Sequence, residues 1–153
     1  MTEEHTFTLN ITLMKKIILT AIAATISLLT YAENIQLHSP DGNIKVTVSV
    51  DEDVTWSLAI GDETALDNGK IAMYTSKGTF GEMPKLKSVK RSSVDRTVTP
   101  VVALKQGEIR DNYNSMTLTF NGNWALEFRA YDNGAAYRFI TTSKEELTIL
   151  DEA

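Results

Sequence analysis

The chain has no cysteine and only two histidines, His5 and His38, among its 153 residues. Without thiols there is no disulfide staple, no thiolate zinc site and no cysteine nucleophile. One histidine in the extreme amino-terminal stretch and another standing alone leave no constellation for zinc or copper. Ser39, Ser92, Ser93 and Ser115 therefore lack a partner base, and neither a Gly-x-Ser-x-Gly elbow nor a phosphate-cradling glycine loop occurs. Positive charge is also short. The 15 Lys and Arg against 20 Asp and Glu give a net charge of -5, which argues against nucleic acid, whose phosphates demand a basic face. No apolar run reaches the roughly 20 residues needed to span a bilayer, and after residue 32 no segment shows a helical period, a repeat or low complexity.

Near the amino terminus, Met14-Lys-Lys16 supplies a positive start, Ile17 to Leu29 an apolar stretch, and Thr30-Tyr-Ala32 a small-residue end suited to cleavage after Ala32. That order is the pattern of a bacterial secretory signal peptide. Residues 1–13 are then an upstream extension, 14–32 the leader helix and 33–153 the domain. The product is expected to be exported and soluble in the periplasm, and without a cysteine at the cleavage point it has no lipoprotein anchor.

Beyond Glu33 the apolar residues recur with period two, the mark of strands with one buried face. Ile44, Val46, Val48 and Val50 alternate with Lys45, Thr47 and Ser49. Asp51-Glu52-Asp53 then reads as a solvated turn, and Trp56, Leu58 and Ile60 resume the pattern. Asp67-Asn-Gly69 is a further turn signal, and Gly78, Gly81 and Pro84 mark Tyr74 to Pro84 as a loop. Lys85 to Arg96 alternates again, and Pro100, which cannot donate to a ladder, keeps that strand from a central place. Met116, Leu118 and Phe120 lead through Asn121-Gly-Asn123 into Trp124, Leu126, Phe128 and Ala130, the clearest hairpin. Asp132-Asn-Gly134 turns into a last strand with Tyr137 and Phe139 on one face and Arg138 on the other. About eight short strands with regular turns indicate an all-β, antiparallel two-sheet sandwich.

Four stretches carry a more specific likeness: Ser39-Pro-Asp-Gly-Asn-Ile-Lys-Val-Thr-Val48, Arg91-Ser-Ser-Val-Asp-Arg-Thr-Val-Thr-Pro100, Glu108-Ile-Arg-Asp-Asn-Tyr-Asn114 and Phe128-Arg-Ala-Tyr-Asp-Asn-Gly-Ala-Ala-Tyr-Arg138. Together, from about Ile35 to the end, they resemble the amino-terminal domain of glycoside hydrolase family 97. The resemblance implies a super-sandwich fold standing before a catalytic barrel, in a calcium-dependent α-glucosidase or α-galactosidase that takes an oligo- or polysaccharide. Because the family's strand set runs further, Ser143 to Ala153 is expected to mark a truncation inside the domain. This chain is expected to have no activity of its own. The alternative is a stand-alone carbohydrate-binding or structural sandwich.

Glycoside hydrolysis needs two carboxyl groups flanking the scissile bond, and no pair is marked as such. Asp51, Glu52 and Asp53 fit a solvated turn; Glu145, Glu146, Asp151 and Glu152 fit a frayed acidic tail. The most suggestive polar set is Glu108, Arg110, Asp111 and Tyr113. An extended backbone puts Glu108 and Arg110 on one face and Asp111 and Tyr113 on the other. They are candidates for contact with sugar or with the barrel, against the plainer expectation that Arg110 pairs with an acid across strands while Tyr113 packs. Tyr131, opposite in sense to Phe128, is a candidate sugar platform, whereas Trp56 and Trp124 are expected in the core. Asp111-Asn-Tyr-Asn114 offers three side-chain oxygens in a turn, but it lacks the spacing of a calcium loop. No residue is assigned as catalytic or as a metal ligand.

Overall fold

The computed structural model of the chain describes residues 33–102 and 107–153. The expected extension at 1–13 and leader at 14–32 lie outside them. Among the described residues every regular element is a β-strand, and every pairing of strands is antiparallel. Strands β1 (Glu33–His38), β2 (Ile44–Val50), β3 (Val54–Ile60) and β4 (Glu63–Ile71) form one meander in sequence order. The short β5 (Met73–Thr75) and β6 (Gly78–Phe80) follow. A second meander comprises β7 (Leu86–Val98), β8 (Ile109–Phe120), β9 (Trp124–Tyr131) and β10 (Gly134–Thr141), with β7 and β10 at its edges. The last strand, β11 (Ile149–Glu152), returns to pair with β5, making a third sheet ordered β11-β5-β6.

The two meanders face each other as a sandwich, with β1 and β2 packed over β8 and β9. Their period-two faces supply the core: Ile35, Leu37, Val46, Val48, Val54 and Ile71 from one sheet, and Met116, Leu118, Phe120, Trp124, Leu126 and Phe128 from the other. Removing side chains of this size from water contributes about 1.5–3 kcal/mol each, so this seam is the main stabilising element. Trp56 packs on it at 6.1 Å from Phe128 and 5.7 Å from Tyr137, and Trp124 is buried between Phe120 and Phe80. Trp124 is therefore a core residue, as expected, and Trp56 is half-buried against the core's edge.

The turn Ser39-Pro-Asp-Gly42 shows what that motif does. Gly42 takes φ 78°, a conformation that costs glycine little. Its N–H donates to the Ser39 carbonyl, the Ser39 hydroxyl donates to Asp41 Oδ1, and the Ile44 N–H donates back to Ser39 Oγ. The Asp41 N–H in turn donates to Asp132 Oδ1 at 3.0 Å, joining this turn to the one between β9 and β10.

Three expectations are corrected. Tyr74 to Pro84 is not a loop throughout, since β5 and β6 lie there with one ladder between them. Asp67-Asn-Gly69 does not end a strand: it sits inside β4, where the register slips near Trp56 and Leu58 and Asn68 takes φ 50°. Nor is the acidic tail frayed. The Ala72 and Ala153 backbones exchange two hydrogen bonds at 3.0 and 2.9 Å, and the Tyr137 hydroxyl donates to Glu152.

Candidate functional site

Strand β8 runs past the end of β9. Its residues Tyr113 to Phe120 pair with β9, while Ile109 to Asn112 pair only with β7. The result is a two-stranded arm projecting from a four-stranded sheet, and four of the five candidate residues lie on it or beside its root. Because residues paired across strands share a face, Asp111, Tyr113 and Tyr131 point away from the core, together with Arg96, Arg129 and Glu127. Arg110 has the opposite sense, along with Asn112 and Asp95.

The arm is laced by two ion pairs of mirrored order, Asp95-Arg96 on β7 against Arg110-Asp111 on β8. Arg96 meets Asp111 at 2.9 Å on one face, and Arg110 meets both oxygens of Asp95 at 3.0 Å on the other. The Arg110 guanidinium holds the Asp95 carboxyl below the usual carboxylate range and is itself raised by that acid. These pairs are largely exposed, so each contributes little to stability. The expected cross-strand partner of Arg110 is thus Asp95. Glu108 lies before β8 and is exposed, so the predicted sharing of a strand face by Glu108 and Arg110 does not arise.

Tyr113 is 6% exposed. Its ring lies 5.0 Å from that of Tyr131, and the Arg129 guanidinium sits 4.6 Å from its centroid, a geometry with electrostatic attraction to the ring face. Arg129 and Arg138 both bind Glu127, one on each oxygen. Burial works to raise the Glu127 carboxyl, but the two guanidinium groups outweigh it and the group is lowered overall. Arg129 is raised by its bond to Glu127 first, and then by Tyr131. Sequence reading passed over Glu127 and Arg129, although their alternation with Tyr131, on the face opposite Phe128, was the available signal.

Beside the arm lies an open groove of about 770 Å³ lined by Arg110, Asp111 and Tyr131 of the candidate set. Arg96 and the turn residues Asp132 and Asn133 join them, and Val98 and Ile109 flank it. The structure thus brings three candidates to one cavity, places Tyr113 behind Tyr131 and does not bring Glu108 to the groove.

A calcium ion requires six to eight oxygens, and Asp111-Asn-Tyr-Asn114 does not supply them. The run is a strand rather than the expected turn, so its side chains alternate between faces. Asp111 is bound to Arg96, and Asn114 accepts from the Ser93 hydroxyl and donates to the His38 carbonyl. Among the described residues no group of three or more acidic, histidine or cysteine side chains is placed to hold a metal.

Two facing antiparallel meanders with a smaller third sheet, and a polar groove at one end, define an all-β sandwich domain. The particular family follows from comparison: residues 37–153 match the family model described as Glycosyl-hydrolase 97 N-terminal, and the chain belongs to that family. It is 35% identical over 142 residues to a retaining alpha-galactosidase of Bacteroides thetaiotaomicron, covering 91% of this chain and 21% of the relative. The fold is also that of a glycoside hydrolase family 97 enzyme of Pseudoalteromonas sp. strain K8 solved in complex with panose. That match has a TM-score of 0.69 at 22% identity, over 77% of this chain and 19% of the other. A beta-arabinopyranosidase crystal structure gives 0.70 at 20% identity, over 78% and 20%.

Proposed function

We propose that this sandwich is the non-catalytic amino-terminal part of an exported, calcium-dependent α-glycosidase, and that it supports a catalytic barrel formed by other residues of that enzyme. The observation that carries the reading is the family match over residues 37–153, together with a relative whose name is retaining alpha-galactosidase. By that likeness an α-galactoside is the favoured substrate class. A retaining reaction requires two carboxyl groups about 5–5.5 Å apart, one acting as nucleophile and the other as acid and then base. The acids of the arm are instead bound to arginines on opposite faces, which suits bracing rather than bond cleavage. On this reading the barrel supplies most of the calcium ligands, and the contribution of the amino-terminal domain is assigned to no residue of this chain. The leader expected from the sequence at 14–32 supports delivery to the periplasm.

The test is hydrolysis of p-nitrophenyl α-D-galactopyranoside and the matching α-glucoside by the chain alone. The expected rate is the background rate with or without added calcium. Turnover that follows the folded protein would overturn the assignment of a non-catalytic part.

A further inference from the structure

We propose that the groove at the projecting end of β8 binds a neutral saccharide, with Tyr131 as platform and Asp111 and Asn133 as partners for its hydroxyls. This goes beyond the function proposed above, which requires no sugar contact by this domain. Three observations carry it.

The first is charge balance. Arg96 and Arg110 are matched by Asp111 and Asp132 in the lining, so an anionic or cationic ligand would meet an opposing group whichever way it lay. A neutral polar ligand meets no such penalty.

The second is unused hydrogen-bonding capacity. Arg96 contacts Asp111 with Nε and Nη2, both on Oδ2. Among the described residues no donor reaches Asp111 Oδ1, and the side-chain amide of Asn133 has no hydrogen-bond partner. An acid oxygen and an amide offer the mixed donors and acceptors that adjacent hydroxyl groups need.

The third is a braced aromatic wall. Tyr131 rests on Tyr113, Tyr113 lies under Arg129, and Arg129 is tied to Glu127. Ordering these side chains before a ligand arrives lowers the entropic cost of binding. With Val98 and Ile109 flanking it, the groove combines apolar surface for the C–H face of a pyranose with a few directed polar groups, the usual make-up of a small-ligand site.

An extended peptide added to the free edge of Ile109–Asn112 is the competing occupant. Such a guest needs apolar recesses for alternate side chains, and the groove has only two aliphatic residues among its lining.

The experiment is a ¹⁵N NMR titration of the chain with methyl α-D-galactopyranoside and, separately, methyl α-D-glucopyranoside. For so open a groove the expected result is saturable shifts with a dissociation constant of about 1–20 mM for at least one glycoside. The shifts should be confined to Ile109–Asn112 and Tyr131–Asn133. Tyr131→Ala should weaken binding about tenfold while Tyr131→Phe retains it, and Asn133→Ala, in an exposed turn, should weaken it at least about threefold without disturbing the fold. No saturable shift with either glycoside, or shifts unchanged in both alanine variants, overturns the proposal. Shifts at these amides with an alternating Val/Thr heptapeptide but with neither glycoside also overturn it, assigning the groove to a polypeptide strand. Turnover by the chain would overturn the non-catalytic reading without altering these shifts, so the two claims fail separately.

Discussion

Glu127 holds the outer face of the second sheet together: 8% exposed, it ties Arg129 over Tyr113 and reaches Arg138 on β10. Glu127→Ala leaves both guanidinium groups without their acid, and because those groups reach solvent the loss should be about 2 kcal/mol, read as a lower urea midpoint. The pH dependence follows from the same contacts. Glu127, Asp95 and Asp41 are all held below their usual carboxylate values in the folded chain: Asp41 by the Ser39 hydroxyl first, Asp95 by Arg110 first, and Glu127 by its arginines despite burial. Their stabilisation is therefore present above the unfolded values and is lost as pH falls through the folded ones. The urea midpoint should decline as pH drops below about 4.5, less steeply in Glu127→Gln; a midpoint flat from pH 5 to 3 would contradict this. Tyr137 has the opposite sign. Burial first, and then Glu152, raise its hydroxyl, so its contribution is complete below the ordinary value near 10 and fades as pH rises past it. In the core, Phe128→Ala should cost about 3–5 kcal/mol, because the site is fully buried between two sheets and cannot collapse freely.

Among the elements, the third sheet is where single positions decide most. Gly81 follows β6 with φ 101°, and a Cβ there would stand 2.2 Å from the Ile71 carbonyl oxygen, a backbone atom that cannot swing aside. Its own carbonyl accepts from the Val54 N–H, joining this segment to the first sheet. Gly81→Ala should therefore destabilise by more than about 2 kcal/mol, whereas Gly107→Ala, with open space around it, should change the midpoint little. These elements were also the hardest to read in the sequence. The long strands were legible because Ile44 to Val50 and Met116 to Ala130 alternate strictly against one core. β5 and β6 are three residues each and carry Gly78, and β5 completes its pairing only with β11, some seventy residues along the chain; local pattern cannot report a partner so distant. The Asp67-Asn-Gly69 turn signal was real chemistry spent on a bulge rather than a reversal. In the candidate site, alternation foretold that Asp111 and Tyr113 share a face and that Arg110 meets an acid across strands. The groove was not legible, since it depends on β8 outrunning β9.

At the scale of the whole molecule, the sandwich has its own seam of buried side chains and a docked carboxyl-terminal strand. The chain spans 21% of the length of its Bacteroides relative, and the proposed role is to support chemistry performed by other residues. The most direct test is a replacement: residues 37–153 substituted for the matching segment of the Bacteroides retaining alpha-galactosidase, with kcat/KM measured on an α-galactoside. The account predicts a folded chimera whose kcat/KM is within about tenfold of the parent. A chimera that folds with the parent's cooperativity yet loses more than about a thousandfold in kcat/KM would contradict it.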